Sequence, residues 1–535
     1  MKNKVILLSF IFLLFTYSFL LGENNMELIA EFTGEHPRSE FGFHAASLDF
    51  NGDGIDDLVI GSYKWDPEYP GWPAQPYSWG KSYFYFGKEE GFGDSIDFTI
   101  SGFDSLRGFG KHLENLGDMN GDGYEDLGYR TYYYDPDEDL SHYFANILLG
   151  NAAMDSIPDY TYEFLGSEFS PTHTPNLMWL GDINGDGYDD AGFVISKRIG
   201  TKEQEDWVYL IYGNEFNLHY LCGFDWNTFG TDICGLGDVN NDGFGDFIIG
   251  HSEYDYISKL LFLGGTENDS IPDMLLNDYI SNPYYITYSG GGIGDWNGNG
   301  IDDFNGGTDV YGADIWFGSE TTLQQQMHLE FYDVVHYRNS DHGDLNGDGK
   351  DDFAAGNPGG MGGLDGDVYI YLGCQNGTID YHIEGEYGVG LGWSVAVGDF
   401  NNDNYDDVAV GGKGYNASFI DSCYCGKVYV YAGNADLEEA DPNIAVDEET
   451  EPQAGIEMIA YPNPFKNQIE FEIKADHLNY LKVQIYNIKG QLIESINVQE
   501  RNFIWQPKER TSGVYFCRLL YQDRVLSMNK VTFIK

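Results

Sequence analysis

The sequence predicts an all-β protein, and three observations carry that prediction. An acidic stretch with the pattern Asp-x-Asn-x-Asp or a near equivalent recurs seven times, at intervals of 49 to 69 residues. Each copy runs directly into a short apolar segment, which is typical of a strand. Long apolar helical periodicity is missing outside the N-terminus. Sets of four short strands recurring at this interval indicate a seven-bladed β-propeller, and a small β-sandwich is expected after it.

The N-terminus is expected to be an export signal covering residues 1–22. Lys2 and Lys4 precede an apolar run from Val5 to Leu21, which matches the basic and hydrophobic regions of a signal peptide. A permanent membrane anchor is the alternative interpretation, because the cleavage signature near Gly22 is poor. Export through the periplasm, with no stable membrane span after cleavage, is the prediction.

The charge of the chain excludes some classes of binding partner, and its cysteines allow few disulfides. The chain has 28 Lys and Arg against 87 Asp and Glu, a formal net charge of −59. This charge argues against nucleic acid or an anionic membrane as a partner. Six cysteines are few for 535 residues; Cys222 with Cys234 and Cys423 with Cys425 could form local disulfides, although sequence does not fix pairing.

The acidic stretches have the composition of cation-binding loops. In loop 1, Asp49, Asn51, Asp53 and Asp57 occupy positions 1, 3, 5 and 9. Ca²⁺ takes six to eight oxygen ligands, which alternating Asp and Asn around a tight turn can supply. An EF-hand would need Glu at position 12 and a following helix, whereas position 12 is Ile60 in an apolar run. The unit is therefore predicted to be a cation-binding loop between two strands.

The ends of the repeat region predict how the ring closes. Each repeat contains a later alternating strand that ends in Gly, such as Val428–Gly433. After it, residues 435–457 form an acidic linker instead of a fourth strand. Residues 27–34, ahead of loop 1, have the pattern of a fourth strand without a blade. We expect them to complete the last blade of a propeller spanning residues 27–434.

The repeats resemble FG-GAP/VCBS repeats, the propeller family of the integrin α-chain headpiece. The resemblance rests on the acidic loops, on Phe-Gly pairs such as Phe41–Gly42, and on strands such as Val428–Gly433. It implies up to seven Ca²⁺ sites, with side chains of positions 1, 3, 5 and 9 and the carbonyl of position 7 as ligands. Asn299 at position 5 of loop 5 and Asn404 at position 6 of loop 7 depart from the pattern, which predicts weaker binding there. The implied ligands are Asp49, Asn51, Asp53, Ile55 and Asp57 in loop 1; Asp118, Asn120, Asp122, Tyr124 and Asp126 in loop 2; Asp182, Asn184, Asp186, Tyr188 and Asp190 in loop 3; Asp238, Asn240, Asp242, Phe244 and Asp246 in loop 4; Asp295, Asn297, Asn299, Ile301 and Asp303 in loop 5; Asp344, Asn346, Asp348, Lys350 and Asp352 in loop 6; and Asp399, Asn401, Asp403, Tyr405 and Asp407 in loop 7.

Residues 458–535 differ in character and resemble the C-terminal sorting domain of the type IX secretion system of Bacteroidetes. The matching motifs are Tyr-Pro-Asn-Pro-Phe at 461–465, Val483–Gly490, and Ser-Gly-Val-Tyr-Phe at 512–516. The resemblance implies a small Ig-like β-sandwich, the type IX machinery as a partner, and a secreted or cell-surface location.

No nucleophile elbow, P-loop, zinc signature or dinucleotide fingerprint occurs in the sequence. A binding or adhesion module for a carbohydrate or a protein is therefore the leading interpretation, with a polysaccharide lyase-like enzyme as the alternative. A cluster of Arg, Lys and His at the mouth of the central channel would favour the enzyme. The ligand is expected at two aromatic inserts between second and third strands, residues 63–79 and 132–139, which are predicted to be loops on the face opposite the metal loops. The alternative is that these rings only pack on one another. The candidate ligand-binding residues are Trp65, Tyr69, Trp72, Trp79 and Tyr133.

Overall fold

The computed structural model contains strands and no helix in the residues it describes, which confirms the all-β class. These residues are 26–437, except 68–77, 90, 94, 104–105, 170–173, 199–203, 226–227, 254–255, 267–269, 279–289, 309–311, 321–322, 331–339, 359–364, 374–379, 387 and 415–424, and 457–533, except 463–464, 467, 475–480, 488–491, 499–500, 508–512 and 522–523. The expected signal peptide and most of the expected linker lie outside them. The chain divides into two compact units, Met1–Pro442 and Asn443–Lys535.

The first unit is a succession of four-stranded antiparallel sheets, which we call blades 1 to 7. In chain order the strands are β1 (Leu28–Thr33); β2 (Phe41–Leu48), β3 (Asp57–Ser62), β4 (Lys81–Tyr85) and β5 (Phe98–Ser101) in blade 1; β6 (Leu113–Asn115), β7 (Leu127–Asp135), β8 (Leu140–Leu148) and β9 (Tyr160–Leu165) in blade 2; β10 (Met178–Gly181), β11 (Asp190–Arg198), β12 (Gln204–Ile211) and β13 (Leu218–Asp225) in blade 3; β14 (Thr228–Gly237), β15 (Asp246–Glu253), β16 (Tyr256–Phe262) and β17 (Met274–Asp278) in blade 4; β18 (Gly291–Gly294), β19 (Asp303–Thr308), β20 (Gly312–Phe317) and β21 (Gln324–Glu330) in blade 5; β22 (Ser340–Gly343), β23 (Asp352–Asn357), β24 (Asp367–Tyr371) and β25 (Tyr381–Glu384) in blade 6; and β26 (Leu391–Gly398), β27 (Asp407–Gly412) and β28 (Lys427–Tyr431) in blade 7.

The blades are arranged around an axis. The first strand of each blade contacts the first strand of the next, from β2 through β26 and back to β2. The second strands are buried between blades; all six residues of β3 are buried, as a short apolar β-branched run predicts. Because each predicted metal loop joins the first and second strands, these loops lie at one end of the blades, and the connections from second to third strands lie at the other.

Residues from the two ends of the propeller meet in blade 7. β1 pairs antiparallel with the outer edge of β28, with Phe32 opposite Val428 and Thr33 opposite Lys427. The Lys427 ammonium lies 2.6 Å from the Glu31 carboxylate across this pair. The fourth strand of the last blade therefore comes from the start of the unit, almost 400 residues away in sequence.

Apolar layers between adjacent blades form the core. Leu48, Phe50 and Val59 of blade 1 pack with Leu113 and Leu127 of blade 2; burying each such side chain contributes about 1.5–3 kcal/mol. The blades approach closely where Gly61 meets the Phe109–Gly110 pair. A Cβ on Gly61 would lie 2.1 Å from the Gly110 carbonyl oxygen, so only glycine fits at this contact.

The second unit is a β-sandwich. It contains β29 (Glu457–Tyr461), β30 (Ile469–Lys474), β31 (Leu481–Asn487), β32 (Leu492–Asn497), β33 (Asn502–Trp505), β34 (Gly513–Tyr521) and β35 (Arg524–Phe533). One sheet has the order β29-β30-β33 and the other β32-β31-β34-β35. Phe471 and Ile473 of the first sheet share one buried core with Val483 and Leu519 of the second.

Two sequence-based expectations were wrong in the first unit. Cys222 has a free thiol, so it forms no disulfide with Cys234; Cys425 is disulfide-bonded, but its partner lies outside the described residues. The aromatic segment starting at Tyr132 is not a loop. It extends β7 and pairs with β8, Tyr133 opposite His142, because consecutive aromatic residues favour a strand.

Candidate metal loops and the opposite face

The position 1 aspartate organises each loop by accepting hydrogen bonds from backbone amides. In loop 1, Asp49 Oδ1 accepts from the amides of Gly52 and Asp53 at 2.8 and 3.0 Å, and its Oδ2 accepts from Gly54 at 2.9 Å. Position 1 of every other loop accepts from the amides of positions 5 and 6 in the same way. The turn is therefore closed by a carboxylate, which explains the requirement for Asp at this position.

Positions 4 and 6 require left-handed backbone. Gly52 and Gly54 have φ angles of 71° and 85°, which glycine adopts without steric cost. Asn404, which replaces glycine at position 6 of loop 7, adopts a φ of 68°. Since Asn is among the residues that tolerate this region, the loop 7 backbone keeps the same turn.

The position 9 aspartate is fully buried in all seven loops. One of its carboxylate oxygens accepts the amide of the glycine that follows the third strand, as Asp57 does from Gly87 at 3.1 Å and Asp352 from Gly373 at 2.6 Å. Burial is the main cause that raises the pKa of Asp57 to about 8, with the charges of Asp53 and Asp49 adding to it. A carboxyl group whose pKa is raised by burial and by neighbouring carboxylates has no positive charge, among the described residues, close enough to balance its own.

Loop 7 contains acceptor atoms that no described group satisfies. Asn401 Oδ1 at position 3 and Asp407 Oδ2 at position 9 are buried and have no hydrogen-bond partner in the described residues. Unpaired buried oxygens are costly, and carboxylate and amide oxygens are the ligands that Ca²⁺ takes. The donor set thus fits a hard cation, which Asp399, Asn401, Asp403 and Asp407 would hold.

The carboxylates of a loop are nevertheless not gathered around a common point. Among the described residues, no three Asp, Glu, His or Cys side chains are grouped as they would be around a metal ion. In loops 2, 3 and 4 the position 3 amide instead donates to the position 5 carboxylate, as Asn120 does to Asp122 at 3.0 Å. Coordination by the whole set remains a prediction.

Loop 6 contains a positively charged side chain, that of Lys350, within the predicted ligand set. The Lys350 ammonium at position 7 lies 2.8 Å from the Asp348 carboxylate and donates to the Gly373 carbonyl at 2.7 Å. Asp348 occupies position 5 of the predicted ligand set, so an internal ion pair already neutralises part of that set. This feature, rather than a missing carboxylate, distinguishes loop 6.

Position 8, which the sequence interpretation assigned no role, links neighbouring loops. The Glu125 carboxylate of loop 2 accepts the Asp49 amide of loop 1 at 2.8 Å, and Asp189 of loop 3 accepts the Asp118 amide at 3.0 Å. The series continues through Asp302, Asp351 and Asp406, and Asp56 of loop 1 accepts the Asp399 amide of loop 7 at 2.9 Å. Loop 4 is the exception, since it has Gly245 at position 8 and is linked by the Gly245 amide to the Asp182 carbonyl at 2.8 Å.

The candidate ligand-binding aromatic residues differ in their contacts and in whether the structure describes them. Trp65 is half-buried, donates from Nε1 to Glu35 at 3.2 Å, and lies 5.2 Å from the Lys81 ammonium. Trp79 is half-buried, and its carbonyl accepts the Gly108 amide at 2.9 Å. Tyr133 lies on β7, 5.5 Å from the His142 ring. Tyr69 and Trp72 lie outside the described residues, and Trp65 belongs to a local network that orders the start of blade 1.

Two histidines lie beside an arginine near the axis. The His44 and His112 rings are 5.2 Å apart, and His112 Nε2 donates to the Leu177 carbonyl at 2.6 Å. His44 Nδ1 has no hydrogen-bond partner in the described part of the chain. Burial, followed by the charge of Arg130, lowers the pKa of His44 to about 4, so this imidazole is neutral at pH 7.

Comparisons with known families agree with both sequence resemblances. Residues 41–71 and 391–431 match the FG-GAP repeat, and residues 344–410 match the FG-GAP-like repeat. Residues 459–533 match the secretion system C-terminal sorting domain. The chain therefore combines a β-propeller with FG-GAP repeats and a sorting domain of the type IX secretion system. This sorting domain indicates export to the cell surface or the medium; no described helix is long and apolar enough to cross a membrane.

Several curated relatives of this chain are integrin α-chains. Integrin alpha-4 of Xenopus laevis is 29% identical over 183 residues, covering 33% of this chain and 16% of the relative. Integrin alpha-8 of Gallus gallus is 32% identical over 114 residues, covering 21% and 10%. Integrin alpha-PS2 of Drosophila melanogaster is 35% identical over 116 residues, covering 21% and 8%. The chain thus spans less than a fifth of the length of these relatives.

One solved structure aligns along most of the chain. It is PorZ, described as an essential surface component of the type-IX secretion system of Porphyromonas gingivalis. The alignment covers 92% of this chain and 81% of PorZ, with 11% identity and a TM-score of 0.24.

Proposed function

We propose that this protein is an exported binding or adhesion module whose propeller is stabilised by calcium and whose ligand is a carbohydrate or a protein. The observation that carries the binding role is the group of half-buried aromatic side chains opposite the metal loops. Trp65 and Trp79 belong to it, together with Tyr63, Phe43 and Trp393. Aromatic rings with one accessible side suit sugar rings and protein anchors.

Calcium has a structural role in this proposal. The loops and their position 8 links lie at one end of the blades, so bound cations would neutralise buried carboxylates that otherwise repel one another. The opposite end would then be held rigid for a ligand. The orphaned oxygens of Asn401 and Asp407 support this role.

A glycan array probed with the purified full-length chain tests the binding role. We expect capture of a discrete set of glycans and a loss of capture in Trp65→Ala; because Trp65 donates to Glu35, a melting curve checks that the variant is folded. Tyr220→Ala is the matched control, because Tyr220 is an exposed aromatic residue (53% exposed) on the outer strand of blade 3. Equal capture by wild type and Trp65→Ala would contradict a ligand role for Trp65, and capture of no glycan would limit the proposal to protein ligands.

A polysaccharide-degrading enzyme is the second candidate, and the His44, His112 and Arg130 cluster favours it. A neutral imidazole can accept a proton, and an adjacent guanidinium can stabilise developing negative charge. Incubating the chain with acidic polysaccharides and following ultraviolet absorbance tests this candidate, since β-elimination creates an unsaturated product. Activity lost in His44→Ala would support the enzyme, and no absorbance change in wild type would contradict it.

A further inference from the structure

The few basic residues of the propeller generally have acidic partners. Residues 27–434 contain 15 Lys and Arg against 70 Asp and Glu. Lys81 lies 3.1 Å from Glu35, Lys88 lies 3.4 Å from Asp97, and Lys197 lies 2.7 Å from Glu168. Because carboxylates are in such excess, a Lys or Arg side chain that makes no ion pair with a carboxylate is unexpected.

Two neighbouring cations of blade 2, Lys111 and Arg130, depart from this rule. Neither makes an ion pair with any described residue. Partial desolvation of its ammonium group, followed by the charges of Arg130 and Lys64, lowers the pKa of Lys111 to about 8, although the residue as a whole is exposed. Burial likewise lowers the pKa of Arg130 to about 10. Positive groups are thus held close together, and the Glu40 carboxylate, which pairs with Lys64, offsets only part of the repulsion on Lys111.

A row of aromatic rings from blades 1 and 7 lies next to these cations. The Lys111 ammonium lies 5.6 Å from the Tyr63 ring, whose centroid is 4.4 Å from that of Phe43. Phe43 is 5.5 Å from Trp393, and the Lys413 ammonium lies 3.1 Å from the centre of the Trp393 ring. All three rings are half-buried, and Lys111 is exposed, so this row is open to solvent.

These residues share one end of the propeller. Tyr63 and Lys413 directly follow the second strands β3 and β27, and Lys111 lies two residues before the first strand β6. They therefore lie at the end opposite the metal loops. Lys64, next to Tyr63, adds a cation that pairs with Glu40.

We propose that this cationic–aromatic cluster, made of Lys111, Arg130, Tyr63, Phe43, Trp393 and Lys413, binds an anionic carbohydrate. The inference rests on the proposed binding function and names its ligand class. Lys111 and Arg130 would receive a carboxylate or sulfate group, for which the Arg fork offers paired donors. The aromatic row would contact the sugar rings.

Carbohydrate is favoured over an acidic peptide because of the row of rings. A run of carboxylate side chains needs cations but no continuous aromatic surface, whereas successive sugars of a chain present apolar ring faces beside their charged groups. The three rings connect Lys111 in blade 2 to Lys413 in blade 7, two cations that a charged polymer could contact together.

Binding of two matched pairs of polymers to the full-length chain tests the proposal. Polygalacturonate is compared with its methyl ester, and dextran sulfate with dextran, so that the first pair reports a carboxylate source and the second a sulfate source. We expect the wild-type chain to bind at least one charged member and to discriminate against its neutral counterpart by about tenfold or more. Added salt is expected to weaken this binding, because it screens accessible charges.

Lys111→Glu and Arg130→Gln are expected to weaken binding of that charged polymer by about tenfold or more. Lys88→Glu is the control, since Lys88 already pairs with Asp97 outside the cluster. Lys111 is exposed, so Lys111→Glu keeps the test decisive even if Arg130→Gln fails to fold, and melting curves identify such a failure.

Several outcomes would overturn the inference. They are equal binding of charged and neutral polymers, equal weakening by Lys88→Glu, or stronger binding of polyglutamate than of any charged polysaccharide. Capture of a neutral glycan that Lys111→Glu leaves unchanged would overturn the anionic ligand while retaining the proposed binding function. Failure to bind any glycan or protein would remove both.

Discussion

At the scale of single residues, position 8 of the loops determines how adjacent blades are linked. Glu125 accepts the Asp49 amide of the neighbouring loop at 2.8 Å and the Asn115 side-chain amide at 2.9 Å. At the same position in loop 4, a Cβ on Gly245 would lie 2.7 Å from the Leu180 carbonyl oxygen. The glycine is therefore required by the close approach of two backbones, and the link there uses main-chain groups alone.

Removing a carboxylate from position 8 and adding one at this position are both expected to destabilise the propeller. Glu125→Ala leaves the Asp49 amide without its acceptor and should lower the free energy of unfolding by about 1–3 kcal/mol. Gly245→Asp should also lower it, because the new side chain has no space. Denaturant titration at fixed calcium concentration measures both, with Glu125→Gln as the control that keeps an acceptor oxygen. A stabilising Gly245→Asp would show that loop 4 accepts the same link as the other loops.

At the scale of elements, the decisive contact is the pairing of β1 with β28. Without β1, the backbone groups of β28 from Lys427 to Tyr431 would form an open edge. Such edges pair with other chains unless they are covered. The half-buried Phe32 also packs against Tyr85 of blade 1, with ring centroids 4.1 Å apart, so β1 supports two blades.

Deletion of residues 27–33 is therefore expected to cause aggregation or to abolish cooperative unfolding. Size-exclusion chromatography and thermal melting measure the two effects. Glu31→Gln, which removes only the ion pair with Lys427, should change stability by no more than about 1 kcal/mol, the usual range for an exposed pair. A monomeric deletion variant that melts like wild type would show that β1 is dispensable for closure.

At the scale of the whole molecule, the predicted metal loops place many carboxylates at one end of the propeller. The position 9 aspartates are fully buried in every loop, and the position 8 carboxylates join loop to loop around the axis. The stability of the propeller is therefore expected to depend on cations at many loops together. Loop 5, with Asn299, and loop 6, with the Lys350–Asp348 ion pair, should contribute least.

Excess EDTA is expected to lower the melting temperature substantially, since the buried carboxylates lose their countercharge. Ca²⁺ should restore the melting temperature better than Mg²⁺, which requires a small octahedral shell. Differential scanning calorimetry of the full chain measures this, and Lys350→Met tests whether removal of the internal cation makes loop 6 more dependent on Ca²⁺. An unchanged melting curve in EDTA would contradict calcium binding.

Much of this protein is determined locally and is readable in the sequence. The recurrence of the acidic loops and the apolar runs after them predicted the all-β fold, because strand and turn preferences depend on adjacent residues. The Tyr-Pro-Asn-Pro-Phe and Ser-Gly-Val-Tyr-Phe motifs predicted the sorting domain through their resemblance to that family, which is also readable in short stretches of sequence. Local preference also shows where the interpretation was wrong: Tyr132–Tyr134 have the composition of a strand, and they extend β7.

Contacts between blades were decided only by the tertiary structure. The position 8 links join loops that start at least 49 residues apart, and Asp56 of loop 1 reaches loop 7 at the other end of the propeller sequence. No property of Glu125 or Asp189 by itself identifies the neighbouring amide as its partner. The same holds for Lys111, Tyr63 and Trp393, which come from blades 2, 1 and 7 and meet because the ring closes. The sequence by itself determined the repeat, its turns and its strands; the closure of the ring determined which distant side chains share a surface, because charge and ring contacts act through space and not along the chain.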